Sequence, residues 1–373
     1  MVRVALIGTG GMGKKYLKRI CRNEVPLMEC TAAVARSAVN QEYVKEVGGD
    51  RVLICASEDE LYEHSDLFDA VIIATPHKLH PAMAIRAFEN GKHVLLEKPI
   101  GISVGACEEL LETAKNSGKV FSVVFHQRAY PKYMAIKQIL DQGEIGTVTR
   151  VLMENTRYFR TEFYHRSGTW RSSWNGEGGG ALINQGQHIL DIWQWLFGMP
   201  DTINAQIGFG KYNDFLVDDE ATILMHYPDG KSGIFFLSTG EGTNVERLEI
   251  AGTKGTILME NDTVILHKYN KDLNEYRATE TVTARDNLLE TTLTREYPLE
   301  AETQHLILEN FAKAVEEGAE LIVDGQSAVN ALELTNAAYL SAWLNKPVEL
   351  PADAALYEAE LEKQKAAENA KAG

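Results

Sequence analysis

The segment Gly8-Thr9-Gly10-Gly11-Met12-Gly13 has the residue types that a phosphate-binding turn needs. Glycines let the backbone turn tightly and approach a pyrophosphate, and a helix starting there adds free N–H groups and a positive dipole end. An apolar run at residues 4–7 precedes the turn, and Met12, Tyr16, Leu17 and Ile20 follow it at helical spacing. A dinucleotide is therefore expected here. The end of the next strand should read the adenosine ribose, and an acid there selects NAD. This chain has Ala35-Arg36-Ser37-Ala38 instead, with no acid before Glu42. Arg36 and Ser37 suit a 2′-phosphate, so NADP is slightly favoured over NAD. An Arg36 that only stacks on adenine would leave NAD in place.

Two further segments carry proton-handling side chains. Glu97-Lys98-Pro99 directly follows the strand-like run 93–96, and ligands bind at the carboxyl ends of strands in parallel sheets. Lys98 there can hydrogen-bond a substrate hydroxyl or carbonyl oxygen, or simply pair with Glu97 at the surface. Pro99 is a candidate for a cis bond. Downstream, Gly178-Gly179-Gly180 leads into Asn184, His188 and Asp191. If the chain is helical from Ala181, these three share a face, opposite Ile189, Ile192, Trp193 and Leu196. His188 can then take a proton from an alcohol or return one to a carbonyl, unless it is a satisfied structural histidine. With no second histidine or carboxylate pair at ligand spacing, no metal site is expected.

These groups need elements to hold them. The chain has 373 residues, 45% hydrophobic and 24% charged, which leaves room for two domains with ordinary cores. Residues 1–125 alternate β-type runs (30–35, 70–74, 93–96, 120–125) with helical patterns at 81–90 and 104–117. That is the pattern of a doubly wound parallel sheet, an N-terminal Rossmann domain in an α/β protein. From about residue 147, alternating runs and tight turns such as Pro228-Asp229-Gly230 take over, and helices near 303–317 and 327–344 follow. The second domain, 126–351, is expected to be α+β with an open, mostly antiparallel sheet, and its closing helices can pack back on the first. Residues 352–373, rich in Ala, Glu and Lys, are expected to form a frayed helix or a disordered charged tail.

The net charge of −16 argues against nucleic acid or an anionic membrane as a partner. The four scattered cysteines, the lack of an export-signal core and the lack of an apolar stretch of roughly 18 residues predict a reduced, cytoplasmic protein without membrane spans.

Several motifs in fixed order carry a family likeness. They are Gly8-x-Gly10-x-x-Gly13, Ala74-Thr75-Pro76-x-x-x-His80, Glu97-Lys98-Pro99, Gly143-x-Ile145-Gly146, Trp170-Arg171 and the run from Gly178 to Asp191. From Val2 to about Pro351 the chain resembles the glucose–fructose oxidoreductase / inositol dehydrogenase (Gfo/Idh/MocA) family. The resemblance implies an NAD(P)-dependent oxidoreductase that moves a hydride between nicotinamide C4 and a secondary hydroxyl or ketone of a sugar, polyol (inositol-like) or glycoside. It implies Lys98 and His188 as catalytic residues. Thr75, Pro76, His80, Glu97 and Gln127 would join the glycine loop, Arg36 and Ser37 around the cofactor.

Asn184, Asp191, Arg128 and Tyr158 would orient the substrate. Trp170 and Trp174 would stack on a sugar face or pack in the core. Many members have Asp where this chain has Asn184, so the proton relay is expected to rest on His188 and Lys98. The open sheet predicts a homodimer or homotetramer. Two rivals stay open: a redox-neutral glycosidase or lyase that works through a transient keto-sugar with tightly held NAD, and a non-catalytic dinucleotide-binding regulator.

Overall fold

The computed structural model describes residues 1–168, 170–284, 286–299 and 303–372. Its contacts divide the chain into two units. The first comprises Met1–Ala129, Gly176–Gly178 and Glu302–Leu332, and the second comprises Tyr130–Asn175, Gly179–Ala301 and Glu333–Gly373.

The first unit is built on strands β1 (Val2–Ile7), β2 (Met28–Val34), β3 (Leu53–Cys55), β4 (Ala70–Ile73), β5 (His93–Leu96) and β6 (Phe121–Val123). All pair in parallel, in the order β3-β2-β1-β4-β5-β6. Their continuous apolar sequences follow from burial on both faces. Every residue of β4 is fully buried, and in β1 only Arg3 is not. After β1 the chain winds to one side and after β3 it returns to the other, so the strand order reverses between β1 and β4. Parallel sheets bind ligands in the crevice at that point. Helix Gln304–Glu317 belongs to this unit and buries Ile307, Leu308 and Phe311 against β1 and β5.

The second unit holds nine strands: β7 (Val148–Asn155), β8 (Thr202–Phe209), β9 (Asp218–His226), β10 (Ser232–Ser238), β11 (Glu246–Gly252), β12 (Gly255–Glu260), β13 (Thr263–Tyr269), β14 (Leu289–Glu296) and β15 (Val348–Glu349). Their order is β14-β13-β12-β11-β7-β10-β9-β8-β15. All neighbours are antiparallel except β7 and β10. Alternation gives the sheet two faces. Phe235 and Leu237 point inward and are fully buried, whereas Ile234, just before them, is 40% exposed. Trp193, on helix Gln187–Phe197, packs edge-on against Phe235 with ring centres 6.2 Å apart, which fixes that helix to the inner face.

For the C-terminal residues the structure shows the helical alternative, and the helix is docked rather than frayed. Residues Ala354–Ala372 form one helix, and its Tyr357 and Leu361 are 1% and 2% exposed. The Glu368 carboxylate accepts the backbone N–H groups of Trp174 and Asn175, each at 2.9 Å. The polar composition concealed two apolar anchors four residues apart, enough to dock one helical face.

Candidate functional site

The first unit offers a cradle for an anion. Gly8, at φ +101°, lies so close to the end of β4 that an added Cβ would sit 2.5 Å from the Ala74 carbonyl oxygen. A Cβ on Gly13 would fall 1.9 Å from the Gly8 carbonyl oxygen, so turn and helix close on each other only without side chains. Gly10 and Gly11 behave differently: no heavy atom lies within 4 Å of a Cβ built on either. Helix Gly11–Cys21 begins there with no side-chain cap and no acid in its first turn. Its leading N–H groups thus lack a side-chain cap and form the positive dipole end, which suits the pyrophosphate of a dinucleotide.

Arg36 and Ser37 follow β2 and are exposed. Ser37 caps helix Ala38–Gly48, accepting the Asn40 N–H at 3.3 Å. Sequence reasoning missed Glu58, beyond β3, whose charge Arg36 senses. Burial raises the Glu58 carboxyl, while the guanidiniums of Arg86 and Arg36 pull it back. Only the adjacency of β2 and β3 brings Arg36 and Glu58 together, and the sequence carries no local sign of that.

Thr75 and Pro76 leave β4 beside Gly8, with a Thr75 methyl carbon 2.9 Å from the Cβ position of that glycine. His80 stands behind them, not in the open. It is fully buried, with Nδ1 2.7 Å from the Pro99 carbonyl and Nε2 2.8 Å from the Thr75 carbonyl. The expectation that it touches the cofactor gives way to a bracing role between the two loops. Gln127 and Arg128 are also buried, in the turn His126–Ala129, and Arg128 reaches the Ile322 carbonyl at 3.4 Å.

Lys98 follows β5 and is half-buried, with the Lys98–Pro99 bond cis. Glu97 beside it is a support, not a surface partner. It is 8% exposed, accepts the Tyr16 hydroxyl on one oxygen and accepts the Lys98 backbone N–H at 3.1 Å on the other. Burial raises its carboxyl, opposed chiefly by the Tyr16 hydrogen bond. Tyr16 ties the glycine-loop helix to the lysine turn; its helical spacing marked it only as core.

The second unit carries the histidine. Asp218, at the start of β9 and 2% exposed, accepts Gly180 N–H and Leu182 N–H, both at 2.7 Å, and the Tyr339 hydroxyl at 2.5 Å. A Cβ on Gly180 would meet the Asp218 carbonyl oxygen at 2.0 Å, so the glycine run admits this strand. The chain then makes a π-helical turn, Leu182–Gly186, before the α-helix Gln187–Phe197. Wider turns of this kind concentrate at functional sites.

Asn184 and His188 are half-buried among buried neighbours. Nδ1 of His188 is enclosed. Asp191 is fully buried and accepts Gln194 Nε2–H at 3.1 Å. It shares the regular helix Gln187–Phe197 with His188, so its burial, not a break in spacing, sets it apart from the expected three-residue face.

Tyr164 is the residue that sequence reasoning passed over here. Its hydroxyl accepts from Asn184 Nδ2 and Gln185 Nε2 at 3.1 Å and from Arg171 Nη1 at 2.9 Å. Tyr158 is half-buried beneath the Arg160 guanidinium, 5.6 Å from its ring centre. Trp170 is half-buried with the Arg171 guanidinium 4.7 Å over its ring. Trp174 has no exposed surface. It packs on Phe209, Tyr339 and Trp343 and donates Nε1–H to the Leu216 carbonyl at 3.1 Å. It is core, with no face left for a sugar. Among the described residues no group of three His, Cys, Asp or Glu could hold a metal ion, and no helix is long and apolar enough to cross a membrane.

Comparison with known proteins agrees with this architecture. The model of an oxidoreductase family's NAD-binding Rossmann fold matches residues 2–125, and that of the family's C-terminal alpha/beta domain matches residues 137–350. The scyllo-inositol 2-dehydrogenase (NADP(+)) IolU of Bacillus subtilis is 30% identical over 262 residues, 70% of this chain and 76% of that one. The scyllo-inositol 2-dehydrogenase (NAD(+)) of the same organism is 29% identical over 267 residues, 69% and 73% of the two chains. Among solved structures, the WlbA dehydrogenase of Bordetella pertussis in complex with NADH and UDP-GlcNAcA superposes with a TM-score of 0.77 at 21% identity, covering 94% of this chain and 99% of that one. The chain therefore belongs to the Gfo/Idh/MocA family of NAD(P)-binding oxidoreductases.

Proposed function

We propose that this protein is a dehydrogenase that interconverts a secondary alcohol and a ketone on a sugar, polyol or glycoside, with an inositol-like ring as the first candidate. The reading is supported by one residue in each unit, Lys98 in the first and His188 in the second. Each is a half-buried proton-handling group on a heavily braced support, Lys98 through Glu97 and His188 through Asp218. The two inositol dehydrogenases among the relatives support the substrate class.

When bound, the nicotinamide supplies the hydride chemistry. In the oxidation direction, His188 takes a hydroxyl proton as general base. Lys98 donates a hydrogen bond to a substrate oxygen and stabilises negative charge that grows on it. Asn184, Tyr158 and Trp170 orient the ring, whereas Arg128 and Asp191, both buried, are not among the proposed substrate contacts. Asn184 donates and accepts hydrogen bonds but takes no proton, so the relay runs through His188 and Lys98 alone.

A panel of inositols, sugars and glycosides, assayed by absorbance at the reduced-nicotinamide band with NAD and NADP in parallel, tests this. Lys98→Met and His188→Asn are each expected to lower kcat/KM by about 10²–10⁴-fold. Wild-type turnover in either variant, or no turnover of any panel member by the wild type, would sink the reading.

The cofactor is proposed to be NADP ahead of NAD, on the strength of the exposed Arg36 and the lack of an acid at the end of β2. Arg36→Ala is expected to weaken NADPH binding about tenfold, the worth of one charge-assisted hydrogen bond, and to leave NADH nearly unchanged. Equal losses for the two cofactors in a fluorescence titration would contradict it.

The partner proposed for the outer face of the nine-stranded sheet is a second copy of this chain. That face exposes Leu152, Ile234, Phe236, Leu258 and Ile265 around a cavity of about 510 Å³, an apolar lining that favours burial. Light scattering is expected to report a dimer or tetramer, and Ile234→Asp to shift it toward monomer. A monomeric wild type would overturn this.

A further inference from the structure

The loop from 157 to 171 concentrates cationic side chains, and the structure sorts them by partner. Arg157 Nη1 pairs with Glu246 at 3.1 Å, and Arg166 pairs with Glu162 at 2.6 Å. Arg171 donates to the Tyr164 hydroxyl at 2.9 Å. His165 Nδ1 lies 2.6 Å from Ser172 Oγ. Arg160 stands apart. Among the described residues it has no carboxylate within salt-bridge reach, and its one side-chain hydrogen bond is a long 3.4 Å contact with the carbonyl of Phe159. Its Nε is enclosed without a hydrogen-bond partner.

This guanidinium is also held in place. The Arg160 backbone N–H bonds the Thr239 carbonyl at 3.0 Å, and its head group lies 4.5 Å from the Tyr164 ring centre and 5.6 Å from that of Tyr158. Tyr164 in turn accepts from Asn184, four residues before His188. A partly desolvated cation costs free energy unless something compensates it. Two tyrosine faces compensate part, through attraction to the ring quadrupoles. Nη2 and the weakly engaged Nη1 are left over at the tip of the guanidinium, and the natural complement of that pair is a carboxylate or phosphate bound through two parallel N–H···O contacts.

We propose that Arg160 reads an anionic group, a carboxylate or a phosphate, on the carbohydrate that binds beside Asn184 and His188. Tyr158 and Tyr164 act as its positioning residues. The proposal rests on the carbohydrate reading of that site and narrows it to sugar acids or sugar phosphates.

The test is a titration of the protein, pre-mixed with NADPH, with glucose, glucuronate and glucose 6-phosphate, followed by tryptophan fluorescence. At least one of the two anions is expected to bind about tenfold or more tightly than glucose, and the tighter one names the group. Arg160→Gln should bring that ratio to about twofold or less, whereas Arg160→Lys, which keeps the charge but loses the fork, should retain part of it. The affinity for glucose checks that each variant is folded. Glucose binding as tightly as both anions, no binding of either anion, or a preference that survives Arg160→Gln would overturn the proposal. Hydride transfer is read separately, with oxidised cofactor and the panel of alcohols. Anion preference without turnover of any alcohol leaves the subsite standing and counts against the dehydrogenase. Turnover of neutral alcohols without anion preference does the reverse.

Discussion

The carboxylate of Asp218 accepts two backbone N–H groups at the start of the histidine-bearing helix and the hydroxyl of Tyr339, all from a position almost without solvent. Helix N-termini leave such donors unsatisfied, and a negative charge there also meets the positive end of the dipole. Each donor left unpaired in the core would cost about 1–3 kcal/mol, so the arrangement is held as a unit. Gly180 makes room for it, the π turn follows from it, and Asn184 and His188 take their places one turn further along. Burial raises the Asp218 carboxyl, and the hydrogen bonds from Tyr339, Leu182 and Gly180 offset part of that rise.

The first unit solves a similar problem with another buried acid. Glu97 spans the Tyr16 hydroxyl and the Lys98 backbone N–H, while His80 spans the carbonyls of Thr75 and Pro99. Between them these two residues brace the ends of β4 and β5 and the helix that starts at the glycine loop. The cradle for the dinucleotide and the turn that carries Lys98 are thus parts of one hydrogen-bonded frame. A neutral His80 can donate to only one of its two carbonyls; burial lowers its affinity for a second proton, and the two carbonyls raise it.

Much of this was legible because the signals were local. The glycine loop, five of the six parallel strands of the first unit (all but the short β3) and the hairpin of β9 and β10 each show in a short window of periodicity and turn residues. The family motifs placed Lys98 and His188 on the chain. What stayed hidden depends on pairs far apart in sequence. Asp218 lies 36 positions after Leu182, and Glu97 lies 81 after Tyr16. Tyr164 looked like one more aromatic in a basic loop, and only its three donors reveal it as a hub. Trp174 and Asp191 erred in the other direction, since residue type cannot distinguish an open aromatic or acid from a buried one. The docking of the C-terminal helix stayed hidden because its two apolar anchors are diluted by charge.

The open space over Gly10, set against the tight contact at Gly13, is where the account is most exposed to refutation. Gly10→Ala puts a methyl group where the pyrophosphate is expected and touches nothing else in the protein. The decisive measurement is the NADH and NADPH affinity of this variant by fluorescence titration, alongside its melting temperature. The account requires an unchanged melting temperature with affinity for both cofactors lowered about tenfold or more, the scale of a lost close backbone approach to phosphate. Wild-type affinity for either cofactor would contradict it and would move the dinucleotide away from the glycine loop.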